Sequence, residues 1–158
     1  MSGEATSTER NALSDCNCLA IRQAARHVSQ LYDRLLAPLG LRATQFAILS
    51  RLRRRGPMTI NTLAGLLVMD RTTLGRNILP LQRDGLIEVV ASPADRRRRE
   101  LRLTEAGLSK HEAALARWSL AQRRFETAFG SERAAALRAL LRDVTAADFA
   151  VCGTAEPA

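Results

Sequence analysis

Residues 59–104 read TINTLAGLLVMDRTTLGRNILPLQRDGLIEVVASPADRRRRELRLT. Thr59 can cap a helix whose Leu63, Leu66 and Leu67 form a buried set. Val68-Met69 makes a turn, and Asp70 caps the helix that follows. In that helix Leu74, Ile78 and Leu81 fall on one face, at spacings of four and three. Gly85 ends it. Pro80 cannot donate to the carbonyl of Arg76 and is expected to kink or loosen the last turn. Residues 86–91 are short and β-branched, which reads as a strand. Ser92-Pro93-Ala94-Asp95 turns the chain, and Leu101 and Leu103 alternate with Glu100 and Arg102 in a returning strand. Thr104 then caps a long helix. Helix, turn, helix, hairpin is the order of a winged helix-turn-helix, a module that places one helix in a DNA groove.

The flanks read as helix. Residues 1–13 are expected to be a disordered tail. Ser14 or Asp15 can cap a helix in which Ile21, Ala24, Ala25, Val28, Leu31, Tyr32, Leu35 and Leu39 recur at three and four. Pro38 and Gly40 close it. Thr44 can cap a second helix, with Phe46, Leu49 and Leu52 inward. Arg51, Arg53, Arg54 and Arg55 crowd its C-terminus, where cations suit the helix dipole. Beyond Thr104, Leu108, His111, Leu115, Trp118, Gln122, Phe125 and Phe129 alternate by three and four, a heptad seam. His111 and Gln122 interrupt it with polar groups of the kind that fix register in a symmetric pair. Gly130 ends that helix, and Ser131 caps a last one with Leu137, Leu140, Leu141 and Val144 as its stripe. The expected fold is mainly α with a small β wing.

The 158 residues suffice for one core-bearing domain. Lys plus Arg is 24 against 16 Asp plus Glu, a formal charge of +8. That balance attracts polyanions such as nucleic acid, although an arginine-favouring genome would also produce it. Lys110 is the one lysine, and arginine is the better residue for bidentate phosphate and guanine contacts. No apolar run is long enough to span a bilayer, and residues 1–8 lack a signal-peptide core. No membrane role and a cytoplasmic location are therefore expected, with Cys16, Cys18 and Cys152 as thiols. Three cysteines and two scattered histidines make no CxxC pair or usual zinc spacing, so no metal is expected. Nor is a cofactor, because no Gly-rich phosphate loop occurs. His27 and His111 have no catalytic partner nearby in sequence, so no enzyme is expected.

With the 74–78–81 face inward and about 100° per residue, Thr72 and Arg76 point away from it and Thr73 lies beside them. Hydroxyls and a guanidinium there can meet base edges or phosphate, Arg76 bidentately at guanine. Gly75 would let the backbone approach closely. Arg71 and Arg83 are candidate phosphate contacts. The hairpin tip is Asp95-Arg96-Arg97-Arg98-Arg99. Adjacent like charges repel, and a narrow minor groove with its enhanced negative potential would compensate them. Asp95 could pair with a nearby arginine and hold the tip. The competing reading is a solvated helix face and a solvated charged loop.

The order of elements, with MTINTLAGLLVMDRTTLGRNILPLQRDGLIEVV and then SPADRRRRELRLTEAG, resembles the MarR family of bacterial transcriptional regulators over nearly the whole chain. Asp95, Arg97, Leu103, Thr104 and Gly107 match that family's wing signature, Asp-x-Arg followed by Leu-Thr-x-x-Gly. The resemblance implies a homodimer built from the first and last two helices, bound to double-stranded DNA at a pseudo-palindromic operator. It divides the chain into a helical dimerisation region, 14–40 and 105–150, and a DNA-binding lobe, 41–104. It also implies that Arg97 enters the minor groove, that Asp95 steadies the wing, and that a small, often aromatic, ligand binds between the dimer helices and the lobe.

Arg22, His27, Tyr32, Phe46 and Trp118 are candidates for such a cleft, against ordinary packing. Cys18 precedes Tyr32 by fourteen residues, as the reactive cysteine and its partner tyrosine are placed in the family's organic-hydroperoxide sensors. A helix N-terminus would favour thiolate at Cys16 or Cys18. Against this, Arg22 and Ala43 stand where those sensors carry further tyrosines. Cys16 and Cys18, taken as helical, point about 200° apart, which disfavours a disulfide. The resulting expectation is a sequence-specific DNA-binding regulator, a homodimeric repressor released by a small molecule or an oxidant. The alternatives are a thiol redox protein with a peroxide-reactive Cys18, or a helical adaptor without specific DNA binding.

Overall fold

In the computed structural model, residues 15–93, 95 and 97–149 are described. The expected tail over residues 1–13, together with Ser14, Arg96 and Cys152, lies outside the described residues. The elements are α1 (Asn17–Leu36), a 3-10 turn (Ala37–Leu39), α2 (Ala43–Arg55), α3 (Ile60–Leu67), α4 (Arg71–Arg83), β1 (Ile87–Ala91), β2 (Arg99–Leu103), α5 (Glu105–Phe129) and α6 (Ser131–Ala146). They fall into two compact units that divide between Ala121 and Gln122, inside α5.

The first unit is built around α2, α4 and the base of the hairpin. Ile48, Leu49, Leu63, Leu74 and Leu81 are fully buried, and Ile78, Leu52 and Leu101 nearly so. Each such side chain contributes about 1.5–3 kcal/mol by leaving water. The anticipated inward face of α4 is therefore the observed one. The strands pair antiparallel with Val89 opposite Leu101 and Glu88 opposite Arg102. Met58 adds a bridge to Leu101, its N–H donating at 3.2 Å and its carbonyl accepting at 2.8 Å, an edge no periodicity announced. Pro80 sits inside α4, which continues through it to Arg83, and Asp84 N–H donates to the Pro80 carbonyl at 2.9 Å.

The helix-turn-helix corner carries no glycine. Val68 takes the left-handed conformation at φ 52° instead. A β-branched residue there costs about 1–3 kcal/mol. Bonds from Val68 N–H to the Gly65 carbonyl and from Met69 N–H to the Ala64 carbonyl hold it. Thr59 and Asp70 cap as anticipated, accepting from Thr62 N–H at 3.2 Å and Thr73 N–H at 2.8 Å.

Other caps differ from expectation. The cap of α1 is Cys16, whose Sγ accepts from Leu19 N–H at 3.4 Å. Thr44 lies inside α2; its N-terminal amides are met by Gln45 Oε1, on Arg42 N–H, and by Asp33 Oδ1, on Ala43 N–H. A charged acceptor from α1 thus meets the first amide of α2, and the helix starts ahead of Thr44. Lys110 Nζ donates to the Leu39 carbonyl at 3.3 Å and closes the other end of that corner.

The buried stripe of α5 within this unit is Gly107, His111, Ala114 and Ala121. The anticipated seam is a different face, which shares His111 with this stripe. Leu108 is half-buried, and Leu115 and Trp118 are exposed. At Gly107 a small residue is required, because a Cβ there would collide with the Leu86 carbonyl oxygen. Likewise α1 buries Leu36 while Ile21 is exposed.

In the second unit, Gly130 at φ 93° precedes α6, and Ser131 makes no capping bond. Ala134 is buried, Leu137 is half-buried, and Leu140, Leu141 and Val144 are exposed. Arg133 lies over the Phe129 ring at 4.4 Å, and Phe129 packs against Phe125. Glu126 accepts from Gln122 and from Arg138, and these bonds hold its carboxyl below the ordinary value.

Candidate nucleic-acid interface

The outer face of α4 carries Arg71, Thr72, Thr73, Arg76 and Arg83, all exposed. Asp70 orders the start of this face. Hydrogen bonds from the Thr73 side chain and backbone hold its carboxyl below the ordinary carboxylate value. Thr73 is thus partly committed to the cap, which leaves Thr72 and Arg76 as the outward groups. Among the described residues Arg71 and Arg76 make no ion pair, whereas Arg83 pairs with Asp84 at 3.1 Å. Gly75 was expected to serve close backbone approach. It lines a groove of about 330 Å³ with Leu79 and Val89, beside the wing. A Cβ at Gly75 would meet nothing within 4 Å, so the chain's own packing does not require glycine there.

The hairpin tip is shaped by Asp95, through the backbone rather than an arginine side chain. Its Oδ1 accepts from Arg97 N–H at 2.9 Å, its carbonyl accepts from Arg98 N–H at 2.9 Å, and Ser92 N–H donates to the Arg98 carbonyl at 2.9 Å. Arg97, Arg98 and Arg99 are left exposed, with no ion pair among the described residues.

The wing is fastened to the body by Thr104 and Gly107. Thr104 Oγ1 donates to the Gly85 carbonyl at 2.6 Å and accepts from Gly107 N–H at 3.0 Å. Gly107 lies so close to Leu86 that a Cβ there would collide with its carbonyl oxygen. The Leu-Thr-x-x-Gly run therefore locks the end of α4, the start of β1 and the start of α5 together.

Residues 41–98 match the sequence model of the MarR family. A probable transcriptional regulator from Pseudomonas aeruginosa is 32% identical, with 84% of this chain and 98% of that one covered and a TM-score of 0.75. This chain belongs to the MarR family. It is accordingly a transcriptional regulator with a winged helix-turn-helix fold. The MarR-family chain is also 33% identical to the Mycobacterium tuberculosis regulator MosR, solved in complex with DNA, over 84% of this chain and 98% of that one, with a TM-score of 0.70. PcaV from Streptomyces coelicolor, solved with its natural ligand, shares the fold at 24% identity and a TM-score of 0.75, with 93% and 99% covered. No curated protein sequence matches the chain. No described helix is long and apolar enough to cross a membrane.

A cavity of about 280 Å³ opens where α1, α2 and α5 meet in the first unit. Tyr32, Phe46 and Trp118 line it, as anticipated from sequence, and so do Ser50, Arg51 and Arg54, which were not. Their signal was present: Ser50 and Arg54 follow Phe46 at four and eight, one helical row. Phe46 stacks on Trp118 at 6.1 Å and on His111 at 5.3 Å. Arg22 and His27 are exposed on α1 and do not line the cavity. Cys18 is exposed and Cys16 half-buried, both as free thiols at the start of α1. As the cap, with extended backbone at φ −74° and ψ 106°, Cys16 is not helical, so the helical argument against a Cys16–Cys18 bond does not apply.

His111 was expected to set register between two copies. It is instead buried within the first unit, with Nε2 against Ser50 Oγ at 3.1 Å. Burial and the nearby Arg53 push its pKa below the ordinary 6.5, against a smaller opposing pull from Glu112. The unfolded chain therefore binds the proton more readily. The stability associated with neutral His111 is complete above 6.5 and declines as pH falls from there through the folded value. Thermal unfolding at pH 7.5 and 5.5 is expected to show a lower Tm at the acid end. In His111→Gln, which has no titrating ring, the difference should shrink; an equal drop would mean that other groups cause it.

Proposed function

We propose that this chain is a homodimeric, sequence-specific repressor that acts in the cytoplasm on a pseudo-palindromic operator and is released by a small aromatic ligand. The observation that carries the reading is the pair of outward arginine-bearing surfaces, Thr72 and Arg76 on α4 and Arg97 to Arg99 on the wing, whose charges no described group neutralises. Thr72 and Arg76 read base edges, Arg71 and Arg83 hold phosphates, and the wing arginines enter the minor groove. Residues 41–104 form the reading lobe; 14–40 and 105–150 pair the two copies. Exposed Ile21 on α1, Leu115 on α5, and Leu140, Leu141 and Val144 on α6 support that pairing, because a monomer gains nothing from them. The Tyr32–Trp118 cavity is the effector site. Anisotropy titrations of an operator duplex across a salt series test the electrostatic part. About six to ten phosphate contacts per dimer predict a loss of roughly 10³–10⁵ in affinity between 50 and 200 mM salt. A flat salt dependence would contradict it.

A further inference from the structure

The strand β1 is an open edge of the wing. Met58 bonds to Leu101 through both its N–H and its carbonyl, at 3.2 and 2.8 Å, so the polar backbone groups of Leu101 point away from β1. Leu101 stands opposite Val89, and these two therefore form a pair without hydrogen bonds between them. The bonds from Thr104 N–H to the Leu86 carbonyl and from Ser92 N–H to the Arg98 carbonyl keep the same alternation. Glu88 and Val90 thus bond to β2, while the N–H and carbonyl groups of Val89 and Ala91 point outward. Among the described residues no further strand pairs with that edge. Edge strands are ordinarily guarded by charge, lysine or proline. The run Val89-Val90-Ala91 has none of these, and Glu88 is paired with Arg102 across the ladder at 2.9 Å. Val89 is 44% exposed and Leu79 of α4 is 64% exposed, and both line the groove between α4 and the wing.

This edge is complementary to itself. An antiparallel second β1, related by a two-fold axis at Val89, sets Val89 against Val89 and Ala91 against Ile87. These are the outward-bonding positions, so each pair can exchange both of its hydrogen bonds. Glu88 then faces Val90 of the second copy, and no like charges stand opposite one another. The two valines meet on the sheet face that also carries Leu79, which covers the exposed apolar groups there. We propose that β1 pairs with β1 of a second dimer and couples neighbouring dimers on DNA. The inference rests on the operator-binding reading above and adds a partner for the outer edge of the wing. Pairing two strands of five residues buries far less than the roughly 1,200 Å² of a stable interface. A free peptide in dilute solution would gain too little from the edge to stay. Dimers already seated on adjacent sites are held at high effective concentration, where the same contact suffices.

Val89→Pro and Ala91→Pro test the pairing on the full chain. Each removes one outward N–H that the β1–β2 ladder does not use, at an edge where proline is tolerated. Val89→Lys keeps the backbone and sets two cations together at the axis. The probe is a duplex carrying two copies of the operator, with their spacing stepped through one helical turn of about 10 bp. At the favoured spacing the parent is expected to fill the second site about 10-fold or more tighter than a lone operator. The three variants should melt as the parent does and fill the two sites independently, each judged against its own affinity for the lone operator. Independent filling by the parent at every spacing overturns the pairing. Cooperativity kept by the variants overturns the edge as its cause. The lone-operator duplex checks the regulator reading separately. Without DNA, sedimentation of the parent at about 1 mM should show weak association beyond the dimer that Val89→Pro lacks. Equal sedimentation of the two would overturn the pairing whether or not an operator is recognised.

Discussion

Among the described glycines, Gly107→Ala is expected to be the most damaging change to alanine. The new Cβ would run into the Leu86 carbonyl oxygen and stand 3.2 Å from Leu103 Cδ2. The oxygen belongs to backbone, and its neighbourhood is tied down. Thr104 N–H donates to that same Leu86 carbonyl at 3.2 Å, and Thr104 Oγ1 holds Gly85. Relief therefore requires α5 to move away from the wing base, which would uncover Leu86 and Ile87. Overpacking costs about 1–3 kcal/mol where side chains can yield, and more where they cannot. A loss near the top of that range lowers Tm by roughly 6–12 °C in a chain of this size. Gly75→Ala is the control, since its Cβ meets nothing within 4 Å. Its stability should hold or rise, because alanine is the better helix former by about 1 kcal/mol. Circular dichroism melts of both variants decide the matter. Equal melts for Gly107→Ala and the parent would mean that the close approach at Leu86 is not a constraint.

Arg76→Ala and Arg97→Ala are expected to weaken DNA binding in different ways. Arg76 stands on the exposed face of a helix whose start Asp70 orders, and in the proposed reading its loss removes a base contact. One bidentate contact is worth about 1–3 kcal/mol of discrimination. Operator affinity should fall roughly 10–100-fold while random-duplex affinity changes little. Arg97 stands on a tip held by Asp95, where charge and groove width matter more than base identity. Its loss should weaken operator and random duplex by similar factors and flatten the salt slope by about one. Anisotropy titrations on both duplexes separate the two patterns. A uniform loss for Arg76→Ala would remove it from base reading.

The winged helix-turn-helix was legible because local signals and tertiary packing agree there. Thr59, Asp70 and Thr104 cap where their residue types suggest, and Leu74, Ile78 and Leu81 point inward as their spacing dictates. The flanks were less legible because distant groups decide them. Ala43 N–H is claimed by Asp33, ten residues away, so Thr44 is not needed as a cap. The face of α5 buried within the chain holds Gly107, Ala114 and Ala121, and small residues carry little periodic signal. His111 looked like a break in an intermolecular stripe because Ser50, 61 positions away, could not be paired with it from spacing. The cavity was half legible. Its aromatics stood out by type, but arginines at a helix end read as dipole partners until the fold turned two of them to the lining.

In the proposed reading this MarR-family chain recognises a particular DNA sequence. Footprinting upstream of its own gene supplies the operator. The deciding measurement is its affinity there against a random duplex of equal length at about 0.15 M salt. A preference of at least about 10³-fold for the operator is expected. Equal affinity for the two duplexes would contradict it.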